Sequence, residues 1–165
     1  MLKGLFFLGT MQIRKATEED AERVGAFMGK CYKTSYDGQG KEVFLNEFGR
    51  NHKFFVLEND GEIKGVGSWT LRGLPHHEVI RINRLGISKR EDIELAKPLF
   101  RALAEDADKY FKSKGFKLRK VFHLVHSNDN PMIEILQSLG LEKEAVIKEH
   151  FWKGIDEFVY SMWLN

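Results

Sequence analysis

The sequence predicts a single α/β domain of the α+β type, a mixed and mostly antiparallel sheet of six to seven strands with helices on both faces. Three observations lead there. The run IRKATEEDAERVGAFM joins a short strand to a capped helix. The run HSNDNPMIEILQSLGL supplies a strand end, a cap, a helix and a stop. Between them lie a meander of strands and one long helix, an order that few layered folds share.

A chain of 165 residues can bury a real core. The domain is expected over residues 11–165. The leading MLKGLFFLGT, residues 1–10, is read as an N-terminal extension or an extra edge strand. Its apolar stretch is too short for a signal peptide and lacks a small-residue cleavage site. A hydrophobic content of 42% with 30% charged residues fits a soluble globular class. A net charge of +2 falls short of the basic stripe of a nucleic-acid binder, so nucleic acid is not an expected partner. Cys31 stands alone, which excludes an internal disulfide and a thiolate metal cluster and suits a cytoplasmic setting. No apolar run is long enough for a bilayer, and no membrane partner is expected.

The elements follow in order. Residues 12–15 form the first strand. Thr17-Glu18-Glu19-Asp20 resembles a capping box with Asp in place of Glu. Ala21, Val24, Phe27, Met28 and Cys31 then recur at helical spacing. A second helix is read over residues 40–48, its apolar positions being Val43, Phe44 and Phe48. Residues 53–57 and 62–71 pair across Asn59-Asp60-Gly61, a tight-turn signal. Gly65 and Gly67 mark a bulge or a close backbone approach. A further strand covers residues 78–87. Leu99, Leu103, Ala107, Tyr110 and Phe111 form the stripe of the long helix. Pro98 costs little only in a first turn, so that helix is started near Ala96 or Lys97, with residues 88–95 as a loop. The rival is a capping box from Ser88 to Glu91 with a kink at Pro98. Residues 120–126 read as a central strand. Asn130 is the expected cap of the next helix, Pro131 its first residue and Gly140 its stop. The last two strands alternate around Lys153-Gly154-Ile155-Asp156, with Phe158, Tyr160, Met162 and Leu164 on one face.

With these motifs in this order, the chain resembles the GNAT (GCN5-related) N-acetyltransferase superfamily. Three stretches carry the likeness: IRKATEEDAERV, FFVLENDGEIKGVGSW and NPMIEILQSLGLEKE. The resemblance covers residues 11–165. It implies that the fourth and fifth strands splay apart and that acetyl-CoA lies in the gap as cosubstrate, with no metal. It places the peptide-like pantetheine arm against Leu85, Gly86 and Ile87. The pyrophosphate would meet the loop that follows, near the positive end of the long helix. The family's glycine-rich loop is replaced here by the glycine-free KREDIELAKP. Ala96 stands for the last small residue, and Lys89, Arg90 and Lys97 supply charge. Asn128 takes the place of an asparagine that touches the cofactor in relatives. A solvated mixed-charge loop is the competing reading.

The resemblance implies direct attack of a neutral primary amine, from a small molecule, a peptide N-terminus or a lysine, on the thioester within a ternary complex. That chemistry needs a base for the ammonium and an acid for the leaving thiolate. Glu78, His126 and Tyr160 are the candidates, because the family's tyrosine position holds Leu136. Phe44, His76, His77 and Trp152 are the candidate acceptor-site residues. His76, His77 and Glu78 with His123 and His126 suggest a metal, but alternation puts the last two histidines on opposite strand faces, so none is expected. The oligomeric state stays open, with a homodimer among the options. A degenerate module that senses acyl-CoA or binds protein is the alternative function, motivated by the glycine-free loop.

Overall fold

The computed structural model describes residues 11–31, 39–89 and 93–164. The extension at residues 1–10, and Arg90 among the cofactor candidates, lie outside the described residues. Among the described residues, seven strands make one sheet: β1 (Met11–Lys15), β2 (Lys53–Asn59), β3 (Glu62–Leu71), β4 (Val79–Ile87), β5 (Lys120–His126), β6 (Glu142–Trp152) and β7 (Ile155–Trp163). Their order is β1-β2-β3-β4-β5-β7-β6. Every neighbouring pair is antiparallel except β4 and β5, which are parallel. The α-helices of the described residues are α1 (Ala21–Cys31), α2 (Gly40–Gly49), α3 (Ile93–Ser113) and α4 (Asn130–Ser138). Among the described residues, no helix is long and apolar enough to cross a membrane.

Two cores sandwich the sheet. Phe55, Leu57, Ile80, Ile82, Leu85 and Val121 pack under α3 and α4. Phe54, Val56, Val66 and Phe44 pack under α1 and α2 on the opposite face. The period-2 alternation of the strands thus feeds both cores. The Asp60-Gly61 turn joins β2 to β3 with both residues at positive φ, 51° and 77°, the twist a two-residue hairpin demands. Both expectations for Gly65 and Gly67 hold. A bulge lies opposite Leu57 and Glu58, and a Cβ on Gly67 would come 2.7 Å from Leu103 Cδ1 on α3.

At the front, one turn of 3-10 helix (Glu18–Asp20) precedes α1. The Asp20 carboxylate accepts from the Thr17 amide at 2.8 Å and from Arg14 at 2.8 Å. Arg14 also reaches Glu58 at 3.1 Å. Arg14's hydrogen bonds hold the Asp20 carboxyl down at about 2. The capping box therefore doubles as a clamp tying the helix start to β1 and β2.

Two helix boundaries differ from expectation. The described part of α3 begins at Ile93, so Pro98 lies inside the helix and residues 93–95 are not loop. Burial of Ala96, Leu99 and Leu103 on one stripe offsets the backbone bond that proline forgoes. The cap of α4 is Asp129, whose carboxylate accepts from the Met132 amide at 3.3 Å, and Asn130 is the first helical residue. A charged carboxylate suits the positive helix end better than a neutral amide.

The helices α1 and α2 cross at glycines. A Cβ on Gly25 would fall 2.4 Å from the Lys41 backbone nitrogen, and one on Gly40 2.1 Å from the Gly25 carbonyl. Gly25→Ala is therefore expected to destabilise the fold by about 2 kcal/mol in urea unfolding, the scale of overpacking against backbone that cannot give way. Gly49→Ala, with nothing within 4 Å, is expected to be neutral or slightly stabilising. Equal losses in the two variants would contradict the crossing.

Candidate functional site

The parallel pair β4–β5 is zipped at one end only. Val79, Ile80 and Arg81 face Lys120, Val121 and Phe122, and there the register stops. Beyond Arg81, β4 keeps β3 on one side and, among the described residues, has no strand on the other. His123 occupies the fork. Its Nδ1–H donates to the Ile82 carbonyl at 2.7 Å, taking a place that a ladder bond would hold. The carbonyl assigns the proton to Nδ1. Burial pushes the His123 imidazole down to about 4, so it is neutral at pH 7.

Just past the fork β4 bulges. Ser68 faces Arg84 while Trp69 faces Ile82, which leaves Asn83 as the extra residue. Leu85, Gly86 and Ile87 follow along the free edge, with Leu85 and Ile87 buried toward α3 and Gly86 against Cys31 of α1. Lys89 is exposed beyond them. Lys97 is exposed and pairs with Glu94 at 3.2 Å. Ala96 corrects its expectation: at 0% exposure it belongs to the α3 core and presents nothing to a phosphate. Asn128 is exposed in the turn between β5 and α4, beside the open end of the fork.

The catalytic candidates separate. Glu78 lies before β4, at the zipped end. Its backbone is left-handed, its carboxylate accepts from the Lys117 amide at 3.1 Å, and its carbonyl accepts from Arg119 and Lys120. It closes a turn and does not face the gap. Tyr160 is buried in the α3–α4 core opposite His123, on the far side of β5 from β4. His126 ends β5 at the open end.

The acceptor candidates separate too. Phe44 is 0% exposed, its ring against Phe54 and Phe48, so it is core and lines no site. His76 and His77 form a 3-10 turn before β4, where His77 Nδ1 accepts from the Leu74 amide at 3.0 Å. They belong with Glu78 at the zipped end. Trp152 is exposed at the tip of the β6–β7 hairpin, at the open end.

Sequence reasoning missed a polar group on the face opposite α3 and α4. Glu157 of β7 faces His126 in register and is only 5% exposed. His150 of β6 hydrogen-bonds to it through Nδ1. A bulge brings His150 to Glu157, because four residues of β6, 148–151, oppose Asp156 alone. Side chains lock that bulge: Lys148 bonds Asp156 at 2.9 Å, and Glu149 accepts from the Gly154 amide at 2.6 Å. On the same face, Arg81 and Arg84 project from β4 beneath α2, where Glu47 pairs with Arg84. Asn83 Nδ2 donates to His52 Nδ1 at 3.1 Å.

Solved structures that resemble this one cover nearly the whole chain. An N-acetyltransferase from Staphylococcus aureus Mu50 superposes with a TM-score of 0.72 at 17% identity, over 95% of this chain and 100% of that one. This is the GNAT fold. A ribosomal-protein-alanine N-acetyltransferase from Brucella melitensis gives 0.71 at 17% identity, covering 93% and 99%. A Salmonella typhimurium protein holding its cofactor acetyl-CoA gives 0.71 at 16% identity, covering 95% of both chains. No family model and no curated protein matches the sequence. The expected GNAT architecture, one mixed sheet with parting central strands, is thus the observed one.

His123 ties this GNAT fork to pH. Its imidazole titrates near 4 in the folded protein and near 6.5 when unfolded. The unfolded chain therefore binds the extra proton first, and stability falls as pH drops from 6.5 toward 4. The full loss is on the order of 3 kcal/mol. His123→Asn is expected to reduce the slope between pH 6.5 and 4, read as unfolding free energy against pH for both proteins. An unchanged slope would contradict the buried, neutral imidazole.

Proposed function

We propose that the protein is an acetyl-CoA-dependent N-acetyltransferase that acts on a primary amine by direct attack in a ternary complex. The observation that carries this reading is the parting of β4 and β5 beyond Arg81. A pantetheine arm carries amides, and a strand edge with no neighbour offers them the pairing a peptide would take. Leu85, Gly86 and Ile87 supply that edge. Lys89 and Asn128 lie at the same end, where α4 and the described part of α3 also begin, and with Arg90 they would meet the pyrophosphate. The bound cosubstrate supplies an activated acetyl thioester.

The remaining chemistry belongs to the chain. An amine is protonated at neutral pH and must lose a proton before it attacks. His150 donates Nδ1–H to Glu157, which leaves its Nε2 as a proton acceptor. The buried Glu157 then holds the imidazolium that forms, as a carboxylate does for a catalytic histidine in other enzymes. His126, facing the same Glu157, is the second base candidate. Glu78 and Tyr160 have no part in this scheme, since neither borders the gap. Positioning in a water-poor fork contributes the rest.

His150→Gln and Glu157→Gln are each expected to lower kcat by about 10²-fold with little change in KM for acetyl-CoA. A comparable loss in His126→Gln alone would move the base to His126. Titration calorimetry with acetyl-CoA tests the reading itself, and absence of binding would overturn it. The glycine-free stretch at residues 88–97 favours one rival. Coenzyme binding without thiol release across a broad amine panel would make the chain an acyl-CoA-sensing module.

A further inference from the structure

Two buried polar side-chain atoms among the described residues lack a hydrogen-bond partner, Ser68 Oγ and Arg81 Nε. They lie on adjacent strands. Thr70 faces Arg81 and Ser68 faces Arg84, so alternation puts all four on the α2 side of the sheet. A buried donor left unpaired is costly, and a charged one more so. Such a pair on one face marks a place built for something else to bond.

The charges of that face are unequally satisfied. Glu47 is engaged by Arg84, and Glu157 by His150. Arg72, at the end of β3, is exposed and close enough to repel Arg81. Glu157 and Glu47 attract Arg81 through space without bonding it. The result is a half-buried guanidinium with a positive neighbour, on the last paired rung before the fork, with the Asn83 bulge immediately beyond.

We propose that Arg81, with Arg72 beside it, binds a carboxylate on the acceptor, so that the acceptor is a free amino acid or another small amine bearing a carboxylate. A planar carboxylate matches the guanidinium fork. A single negative charge fits better than a phosphate dianion, because Glu47 and Glu157 flank the place. A carboxylate on Arg81 leaves an amine one or two carbons away lying over the point where β4 and β5 separate, on the face that carries His150 and Glu157. Lysine side chains in a protein, and protein N-termini other than aspartate, lack a carboxylate so close to the amine. This inference rests on the acetyltransferase reading.

The test measures thiol release from acetyl-CoA with free L-amino acids and β-alanine, each against its carboxamide, alongside short peptides. Acetyl-CoA binding is followed by calorimetry in every protein. The expected result is a kcat/KM at least 30-fold higher for the carboxylates than for the amides. Arg81→Gln should shrink that ratio to within threefold through KM for the acceptor, Arg81→Lys should restore part of it, and Arg72→Gln should lower it less. Equal use of carboxylate and amide by the wild-type protein overturns the inference while the transferase reading stands. So does a preference for peptides, or a ratio unmoved in an Arg81→Gln protein that still binds acetyl-CoA. A wild-type protein that binds no acetyl-CoA removes both.

Discussion

One hydrogen bond stands where the sheet divides. Parallel strands zipped along their length would bury every backbone group of β4 against β5. Here the ladder ends after Arg81, and the carbonyl of Ile82 turns to the imidazole of His123. A buried carbonyl needs a partner, and a side chain supplies one without continuing the ladder. The next residues of β4 are then free to face a ligand. Desolvation keeps the imidazole neutral, so the wedge introduces no buried charge.

Around that fork the two faces of the sheet divide the labour. The α3–α4 face is apolar and holds the strands in place, with glycines in β3 letting α3 lie close. The other face carries the polar groups. Glu157 anchors His150 at the open end, Glu47 anchors Arg84 under α2, and Arg81 is left with its Nε unbonded. The close crossing of α1 and α2 at Gly25 and Gly40 fixes the roof above Arg84. Core packing thus lies on both sides of the sheet, while the polar groups gather on one.

The element order, the Asp60-Gly61 hairpin, the Thr17 box and the stop at Gly140 were legible because each is a local signal. Boundaries set by distant packing were not. Burial of Ala96 carries α3 past Pro98, and two adjacent side chains, Asp129 and Asn130, compete for one cap. The site was harder still. Phe44 belongs to a helical apolar stripe, and that stripe marked the α2 core rather than an acceptor pocket. His76, His77 and Glu78 gather in sequence to close a turn. His150 meets Glu157 through a bulge whose locks span a hairpin, and no spacing rule announces it. The missing partner of Arg81 is visible only in three dimensions.

The central claim is that the β4 edge beyond the fork receives a peptide-like ligand. Amide hydrogen exchange with and without acetyl-CoA addresses it at residue level. The account expects slowed exchange concentrated at residues 85–87 and in the turn at 127–129, with the β6 edge unchanged. Unaltered exchange along 85–87 at saturating acetyl-CoA, or protection confined to another strand, would contradict it.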